Sequence, residues 1–261
     1  MKMQRSGWLL TLGFVLVWAA AGMAQEWGSL KGQFVYEGDP FEPKKLTITK
    51  DQEECCKHNL VDESLLVAAE GGGLRNVVVF LVPAKDVKVP IHPDLEATAN
   101  AERKLDNTSC RFEPRVVTLW TKQTLVVGNS DPIGHNAMID TVKNPPVNVT
   151  IPSGGSLSKT FAAEERIPVP VSCSIHPWMR GWLLIRDNPY MAVTDKEGRF
   201  ELQNVPVGKW EFVFWHERAT YLTEVTIDGK LTQWRRGRTE IDIDADGVDL
   251  GVIKVAAKHF K

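Results

Sequence analysis

Short runs of β-branched and apolar residues, separated by turn residues, dominate the chain. The run from Asn76 to Val82 is almost continuously apolar, which is typical of a buried strand. Around Phe200 and Leu202, apolar and polar residues alternate, as in a strand with one buried face. Pairs such as Asp228-Gly229 lie between the runs and favour tight hairpin turns. The pattern therefore predicts an all-β protein made of sandwiches or barrels.

The candidate metal ligands divide the chain into blocks. Residues 74–188 contain every strong candidate, whereas residues 189–258 form a compact series of strands and turns. A β region over residues 28–73 precedes them, and it could form one sandwich with residues 189–258 that the 74–188 block interrupts. Only residues 92–105 have a composition that allows a helix of any length.

The first 24 residues have the features of a secretory signal peptide. A basic start with Lys2 and Arg5 precedes a short apolar stretch, and the small residues Gly22 and Ala24 stand two apart. The apolar stretch is shorter than the roughly 20 residues that a membrane-spanning helix needs. We therefore expect cleavage after Ala24, no transmembrane span afterwards, and a periplasmic or otherwise extracytoplasmic location.

The charge balance argues against nucleic acid as a partner. The whole chain has 31 basic and 33 acidic residues, a net charge of −2, and loss of Lys2 and Arg5 with the signal peptide makes it −4. Nucleic-acid binding requires a clustered basic surface. The one dense basic run, Arg235–Arg238, is better explained as a solvated hairpin edge.

The strongest chemical signal is a Cys, a His and a Met in one short loop. Cys173, His176 and Met179 follow a strand-like run at C-x2-H-x2-M spacing, and His135 follows the earlier run that ends at Val127. A trigonal His2Cys set with a weak axial Met is typical of blue-copper electron-transfer sites. Four protein ligands leave no open position, which a catalytic metal requires. The residues predict one type 1 copper ion in an electron carrier that is not an enzyme.

The two imidazoles are expected to differ in exposure. His135 is predicted to be the buried ligand, anchored on its own strand. His176 is flanked by Pro177 and Trp178, and it is predicted to be the imidazole nearest to solvent.

Residues 110–188 resemble the cupredoxin family, and the ligand loop is most similar to that of amicyanins. The resemblance depends on motifs in a fixed order: Asn129-Ser130-Asp131, His135-Asn136 and Cys173–Met179. It implies a Greek-key β-sandwich in which Asn129 and Asn136 support the ligands, with Asn136 tying the two ligand-bearing loops together.

The same resemblance implies a docking surface for redox proteins. In this family an apolar patch around the exposed imidazole contacts the electron donor and acceptor, and Pro177 and Trp178 occupy the corresponding positions. The partners would be redox proteins such as a c-type cytochrome or a dehydrogenase.

A second resemblance concerns the end of the chain. Residues 192–210, and the stretch Gly32–Gly38, are similar to carboxypeptidase regulatory-like β-sandwich domains. Such domains are usually structural or adhesive, so residues 189–258 are expected to form a second β-sandwich region.

Three cysteines remain once Cys173 is assigned to the metal. Because exported proteins meet an oxidising compartment, we expect Cys110 to pair with Cys55 or Cys56, and we take Cys56–Cys110 as the candidate bridge. The run from Cys55 to His58 could instead form a second soft-metal site. His216, on an apolar strand, is expected to be a structural histidine.

Two other functions compete with electron transfer. The first is a binding or scaffold module of the cell envelope whose cupredoxin block has no redox use. The second is a copper enzyme or a nitric-oxide-responsive site, which would need an exchangeable ligand position.

Overall fold

The computed structural model describes residues 25–261, and the predicted signal peptide lies outside them. The described chain is nearly all β, which confirms the predicted fold class. Within it, no helix is long and apolar enough to cross a membrane. Of residues 92–105, whose composition allows a helix, only Pro93–Glu96 are helical, and the chain forms a strand from Glu102.

The secondary-structure elements of residues 25–261 are numbered in chain order. The helices are α1 (Gln52–Cys55) and α2 (Pro93–Glu96), and 3-10 turns cover Cys56–His58 and Ala257–Phe260. The strands are β1 (Trp27–Glu37), β2 (Val78–Val82), β3 (Glu102–Thr108), β4 (Arg111–Glu113), β5 (Val116–Trp120), β6 (Thr124–Asn129), β7 (His135–Ile139), β8 (Val147–Ile151), β9 (Ser156–Lys159), β10 (Val169–Ser172), β11 (Arg180–Arg186), β12 (Met191–Val193), β13 (Arg199–Pro206), β14 (Gly208–His216), β15 (Thr220–Tyr221), β16 (Glu224–Ile227), β17 (Lys230–Gln233), β18 (Arg238–Ile243) and β19 (Val248–Ala256).

One sandwich, here called the terminal sandwich, consists of β1, β2 and β12–β19. Its first sheet has the order β13-β1-β19-β16-β17, and its second has the order β12-β2-β14-β15 with β18 also paired to β14. β1 runs parallel to β19 and antiparallel to β13. The N-terminal β region therefore shares a sheet with strands of the 189–258 block.

Aromatic side chains fill the core of the terminal sandwich. Phe34 of β1 contacts Phe200 of β13, Phe214 of β14 and Trp234, and the Phe214 and Trp234 rings stack with centroids 4.4 Å apart. Paired aromatic rings of this kind contribute packing energy beyond their buried area. Phe200 and Leu202 point into this core, which explains the alternation along β13.

The inserted sandwich, formed by β3–β11, lies between β2 and β12 in the chain. Its sheets have the orders β5-β11-β10-β7-β8 and β4-β3-β6-β9. Buried side chains of both sheets, including Leu105, Leu125 and Leu183, form one core. β7 and β10 are antiparallel neighbours with Ser172 opposite Met138, so the start of β7 lies beside the chain that leaves β10.

β2 belongs to a different unit from the one predicted. The predicted 74–188 block includes β2, but β2 pairs with β12 and β14 of the terminal sandwich. Val79 and Leu81 line the core of that sandwich, whereas Val78 and Phe80 pack in an apolar cluster that includes Leu184 of the inserted sandwich. Burial on both faces explains the continuous apolar run.

Residues 39–67, here called the 39–67 segment, have little regular structure and pack on the ligand-loop end of the inserted sandwich. A disulfide joins Cys55 of this segment to Cys110. Leu46, Ile48 and Leu60 form an apolar cluster around that bridge. The segment is therefore attached to the inserted sandwich both covalently and by packing.

Candidate metal centre

Two neighbouring strands bring three of the predicted ligands together. His135 begins β7, and Cys173 follows the last residue of β10. The Nδ1 atoms of His135 and His176 are 2.9 Å apart, and Cys173 Sγ lies 3.7 Å from His176 Nδ1. These three side chains are buried, and their candidate ligand atoms all lie within 4.8 Å of one another.

Met179 closes the ligand loop. Its N–H donates to the carbonyl of His176 at 2.9 Å, and its own carbonyl accepts from the N–H of Cys173 at 3.3 Å. The side chain is buried in the same apolar core as Cys173. The loop therefore turns back on itself, while coordination by the thioether stays a prediction.

Asn136 connects the two parts of the chain that carry the ligands. Its backbone N–H donates to Cys173 Sγ at 3.3 Å. Its side-chain oxygen accepts from the N–H of Ser174 at 3.0 Å and from the Ser174 hydroxyl at 3.1 Å. Because the sulfur and the loop backbone are both held by one residue, movement of Cys173 relative to β7 is restricted.

A second pair of polar residues holds His135. Asn129 Nδ2 donates to the carbonyls of Ile133 and Ile151, which fixes the turn before β7. Asp131 Oδ2 lies 2.8 Å from His135 Nε2, and Asp131 is itself buried. The imidazole is thereby oriented with Nδ1 toward His176.

His176 is not the exposed imidazole that its sequence neighbours predict. Its side chain is 0% exposed, because the 39–67 segment places Asp51 Oδ2 2.8 Å from His176 Nε2. The Trp178 ring lies beside it, with a centroid distance of 5.2 Å. Both imidazoles therefore have a carboxylate at Nε2 and face each other with Nδ1.

The disulfide differs from the predicted Cys56–Cys110 bridge. It joins Cys55 to Cys110, because Cys55 is the buried residue of α1 and the next residue, Cys56, is exposed. The bridge uses the Cys55 thiol, which was one of the candidate ligands of the second soft-metal site predicted at Cys55–His58. Another of those candidates, His58, has its Nε2 atom 3.4 Å from the Glu54 carboxylate. Among the described residues, the run Cys55–His58 forms no cluster of three candidate ligands.

The bridge also lies against the candidate centre. Cys110 Sγ, Asp131 and His135 have polar atoms within 4.8 Å of one another, although a disulfide sulfur is not available as a thiolate ligand. The N–H of Cys110 donates to Asp131 Oδ2 at 2.8 Å. Cys110 of the disulfide is therefore in direct contact with Asp131, the residue that orients the His135 imidazole.

The two residues predicted to form the docking patch differ in exposure. Pro177 is exposed, whereas Trp178 is half-buried and packs in the apolar cluster around the disulfide. Trp178 Nε1 donates to the carbonyl of Cys110 at 3.2 Å. Trp178 thus attaches the ligand loop to the Cys55–Cys110 bridge and to the apolar residues around it.

The donor set fits a soft cation. A carboxylate only accepts hydrogen bonds, so the Nε2 atoms of His135 and His176 carry the hydrogens, and a neutral ring then has its lone pair on Nδ1. Two such lone pairs, 2.9 Å apart and beside a cysteine sulfur, are stabilised by a positive charge between them. Burial lowers the pKa of His135 and the hydrogen bond to Asp131 opposes this effect, so burial favours the neutral, metal-binding ring.

Neither carboxylate, Asp131 or Asp51, is among the site residues predicted from the sequence. Asp131 had an available signal, since it precedes His135 by four residues in the same turn. For Asp51 the sequence contains no such signal, because Asp51 and His176 are 125 positions apart and only the folded chain brings them together.

Comparisons with known proteins identify distant structural neighbours. No protein-family model and no curated protein matches the sequence. Solved cupredoxins resemble part of the chain. A Cu(I) amicyanin mutant has 16% identity and a TM-score of 0.30, covering 33% of this chain and 82% of its own. The purple cupredoxin of Nitrosopumilus maritimus has 19% identity and a TM-score of 0.27, covering 32% and 98%.

An enzyme occurs among the same neighbours. The copper-containing nitrite reductase of Thermus scotoductus SA-01 has 20% identity and a TM-score of 0.30, covering 41% of this chain and 25% of its own. The likeness to a carboxypeptidase regulatory-like domain is not confirmed. At such identities and TM-scores, the function of this chain has to be judged from its own residues.

Proposed function

We propose that this protein binds one copper ion of type 1 and carries single electrons between redox proteins. The observation that carries the proposal is the buried cluster of His135 Nδ1, His176 Nδ1 and Cys173 Sγ. Met179, buried in the same loop, is proposed as the weak fourth ligand. A bound copper ion would supply the one-electron couple, for which this soft ligand set is typical.

The chain's own residues would keep the ligands still during electron exchange. Asp131 and Asp51 hold the two rings, and the N–H of Asn136 holds the sulfur. Hydrogen bonds from outside the centre orient the ligands and tune the metal. Because burial excludes water and the four side chains would fill the coordination sphere, we propose a carrier rather than an enzyme.

The proposed location is extracytoplasmic. The Cys55–Cys110 disulfide supports it, since such bonds persist in oxidising compartments. The proposed partners are a redox donor and acceptor, such as a c-type cytochrome or a dehydrogenase. Pro177, which is exposed and follows the buried His176 in the chain, is proposed to contact these partners.

Copper titration of the purified protein tests the proposal. We expect saturation at one equivalent and, after oxidation, a strong thiolate-to-copper absorption band in the red part of the visible spectrum. Cys173→Ala should abolish the band. Cys56→Ala, which removes an exposed free thiol, should leave it unchanged. A colourless oxidised copper complex of the unaltered protein would contradict the proposal and favour the scaffold alternative.

A further inference from the structure

Asp51 occupies an unusual position for a helix-capping residue. It precedes α1 directly, where an Asp side chain ordinarily accepts a hydrogen bond from a backbone N–H of the first turn. Here the side chain makes no such bond, and its Oδ2 atom instead lies 2.8 Å from His176 Nε2. Asp51 therefore does not cap α1, and its carboxylate contacts the candidate ligand His176 instead.

The backbone of Asp51 is also unusual. Its φ of 47° and ψ of 44° lie in the left-handed region, which residues other than glycine adopt at an energetic cost. Its carbonyl accepts hydrogen bonds from the N–H groups of Glu54 and Cys55, which close the first turn of α1. The surrounding structure therefore maintains a conformation that turns the carboxylate away from its own helix.

The disulfide links this carboxylate to the one on the other imidazole. Cys55, four residues after Asp51, is bonded to Cys110. The N–H of Cys110 donates to the Asp131 oxygen that also contacts His135 Nε2. The supports of both imidazoles are thus connected through the Cys55–Cys110 disulfide and one backbone hydrogen bond.

We propose that Asp51 is a positioning residue for the metal ligand His176. This inference rests on the proposed copper-binding function. By accepting the Nε2 hydrogen, Asp51 fixes the tautomer and the rotation that direct Nδ1 toward Cys173. By covering the ring, the 39–67 segment closes the side on which the imidazole would otherwise meet water. A carboxylate paired with a ligating imidazole increases ligand basicity and so favours the cupric state.

The test compares copper retention in variants matched for backbone and charge. Asp51→Gly removes the carboxylate and suits the left-handed conformation, and Asp51→Asn keeps the shape without the charge. Glu53→Gln is the control. Glu53 is an exposed acidic residue of α1, the helix that follows Asp51, and this substitution removes one negative charge, as Asp51→Asn does. Circular dichroism and a free-thiol assay would verify that the fold and the Cys55–Cys110 bridge are intact.

We expect Asp51→Gly to bind Cu(II) about 10- to 100-fold more weakly than the unaltered protein, with a smaller loss for Asp51→Asn. Glu53→Gln should stay within about twofold of the unaltered protein. The reduction potential of the Asp51 variants should rise, because the substitution weakens Cu(II) binding more than Cu(I) binding. The rise is about 59 mV for each tenfold decrease in the ratio of Cu(II) affinity to Cu(I) affinity. Chelator competition and redox titration measure these quantities.

The outcomes separate this inference from the proposed function. If the unaltered protein shows the thiolate band and the Asp51 variants match Glu53→Gln in affinity and potential, the positioning role is overturned while the copper function stands. If the unaltered protein shows no such band, the proposed function fails and the inference fails with it.

Discussion

At the scale of single residues, each of the three candidate ligands His135, His176 and Cys173 is held by a hydrogen bond from outside the centre. His135 and His176 each direct Nε2 to a carboxylate, and Cys173 Sγ accepts a backbone N–H. Ligands that are held in place before an ion binds need little rearrangement when its charge changes. This arrangement is the one that the proposed role as an electron carrier requires.

His216 provides a residue-scale prediction that is separate from the metal. Its side chain is 0% exposed in β14, its ring packs against Phe260, and burial lowers its pKa to about 4. The unfolded chain, with an ordinary pKa of about 6.5, binds the proton first as pH falls. Stability from the neutral ring is therefore complete above about pH 6.5 and is lost as pH falls toward 4.

The expected size of the His216 effect is about 3 kcal/mol. Urea unfolding at several pH values should show that the stability difference between the unaltered protein and His216→Phe changes by up to this amount from pH 7 to below 4. Parallel curves for the unaltered protein and His216→Phe would refute a depressed pKa.

At the scale of elements, local spacing predicted the ligand loop but not what covers it. Cys173, His176 and Met179 lie within seven residues, so their proximity follows from the sequence alone. The burial of His176 depends on Asp51, which only tertiary folding brings near. The choice of Cys55 over Cys56 depended on which face of α1 is buried, and neighbouring cysteines give no signal for that.

The same limit applies to β2 and to the chain after α2. An apolar run such as Val78–Val82 suits any strand that is buried on both faces, so its sequence does not identify its partners. Glu102–Thr108 forms a strand because it pairs in parallel with β6. Tertiary pairing determined both outcomes, whereas the alternation along β13 was sufficient to predict that strand.

The disulfide provides a prediction at the element scale. It closes a loop between residues 55 positions apart, and such a link stabilises a protein by about 4 kcal/mol in the chain-entropy model. We expect the double variant Cys55→Ala, Cys110→Ala to lose about 2–4 kcal/mol in urea unfolding. Cys56→Ala should be nearly neutral, because that thiol is free and exposed. Equal losses in the two proteins would show that the bridge adds no stability.

At the scale of the whole molecule, the two sandwiches are joined by a buried ion pair as well as by apolar packing. Arg115 donates to both carboxylate oxygens of Glu217, at 2.6 and 2.9 Å, and Trp182 Nε1 donates to the same carboxylate. Both charged side chains are at most 10% exposed. Removing one member of a buried pair is strongly destabilising. Without Glu217, Arg115 would keep the longer contact of its Nη1 with Glu63, at 3.7 Å.

The ion pair leads to a prediction about the joint between the sandwiches. Glu217→Gln should lower the free energy of unfolding by about 3–5 kcal/mol in denaturant titration. Glu96→Gln removes an exposed pair with Lys122, and it should cost about 1 kcal/mol or less. If Glu217→Gln costs no more than Glu96→Gln, the pair does not stabilise the joint.

Copper-edge X-ray absorption of the oxidised, copper-loaded protein measures the ligand set directly. We predict one short copper–sulfur bond and two copper–nitrogen bonds, with the short sulfur bond absent in Cys173→Ala. A spectrum with only nitrogen and oxygen neighbours in the unaltered protein would contradict copper binding by Cys173, His135 and His176.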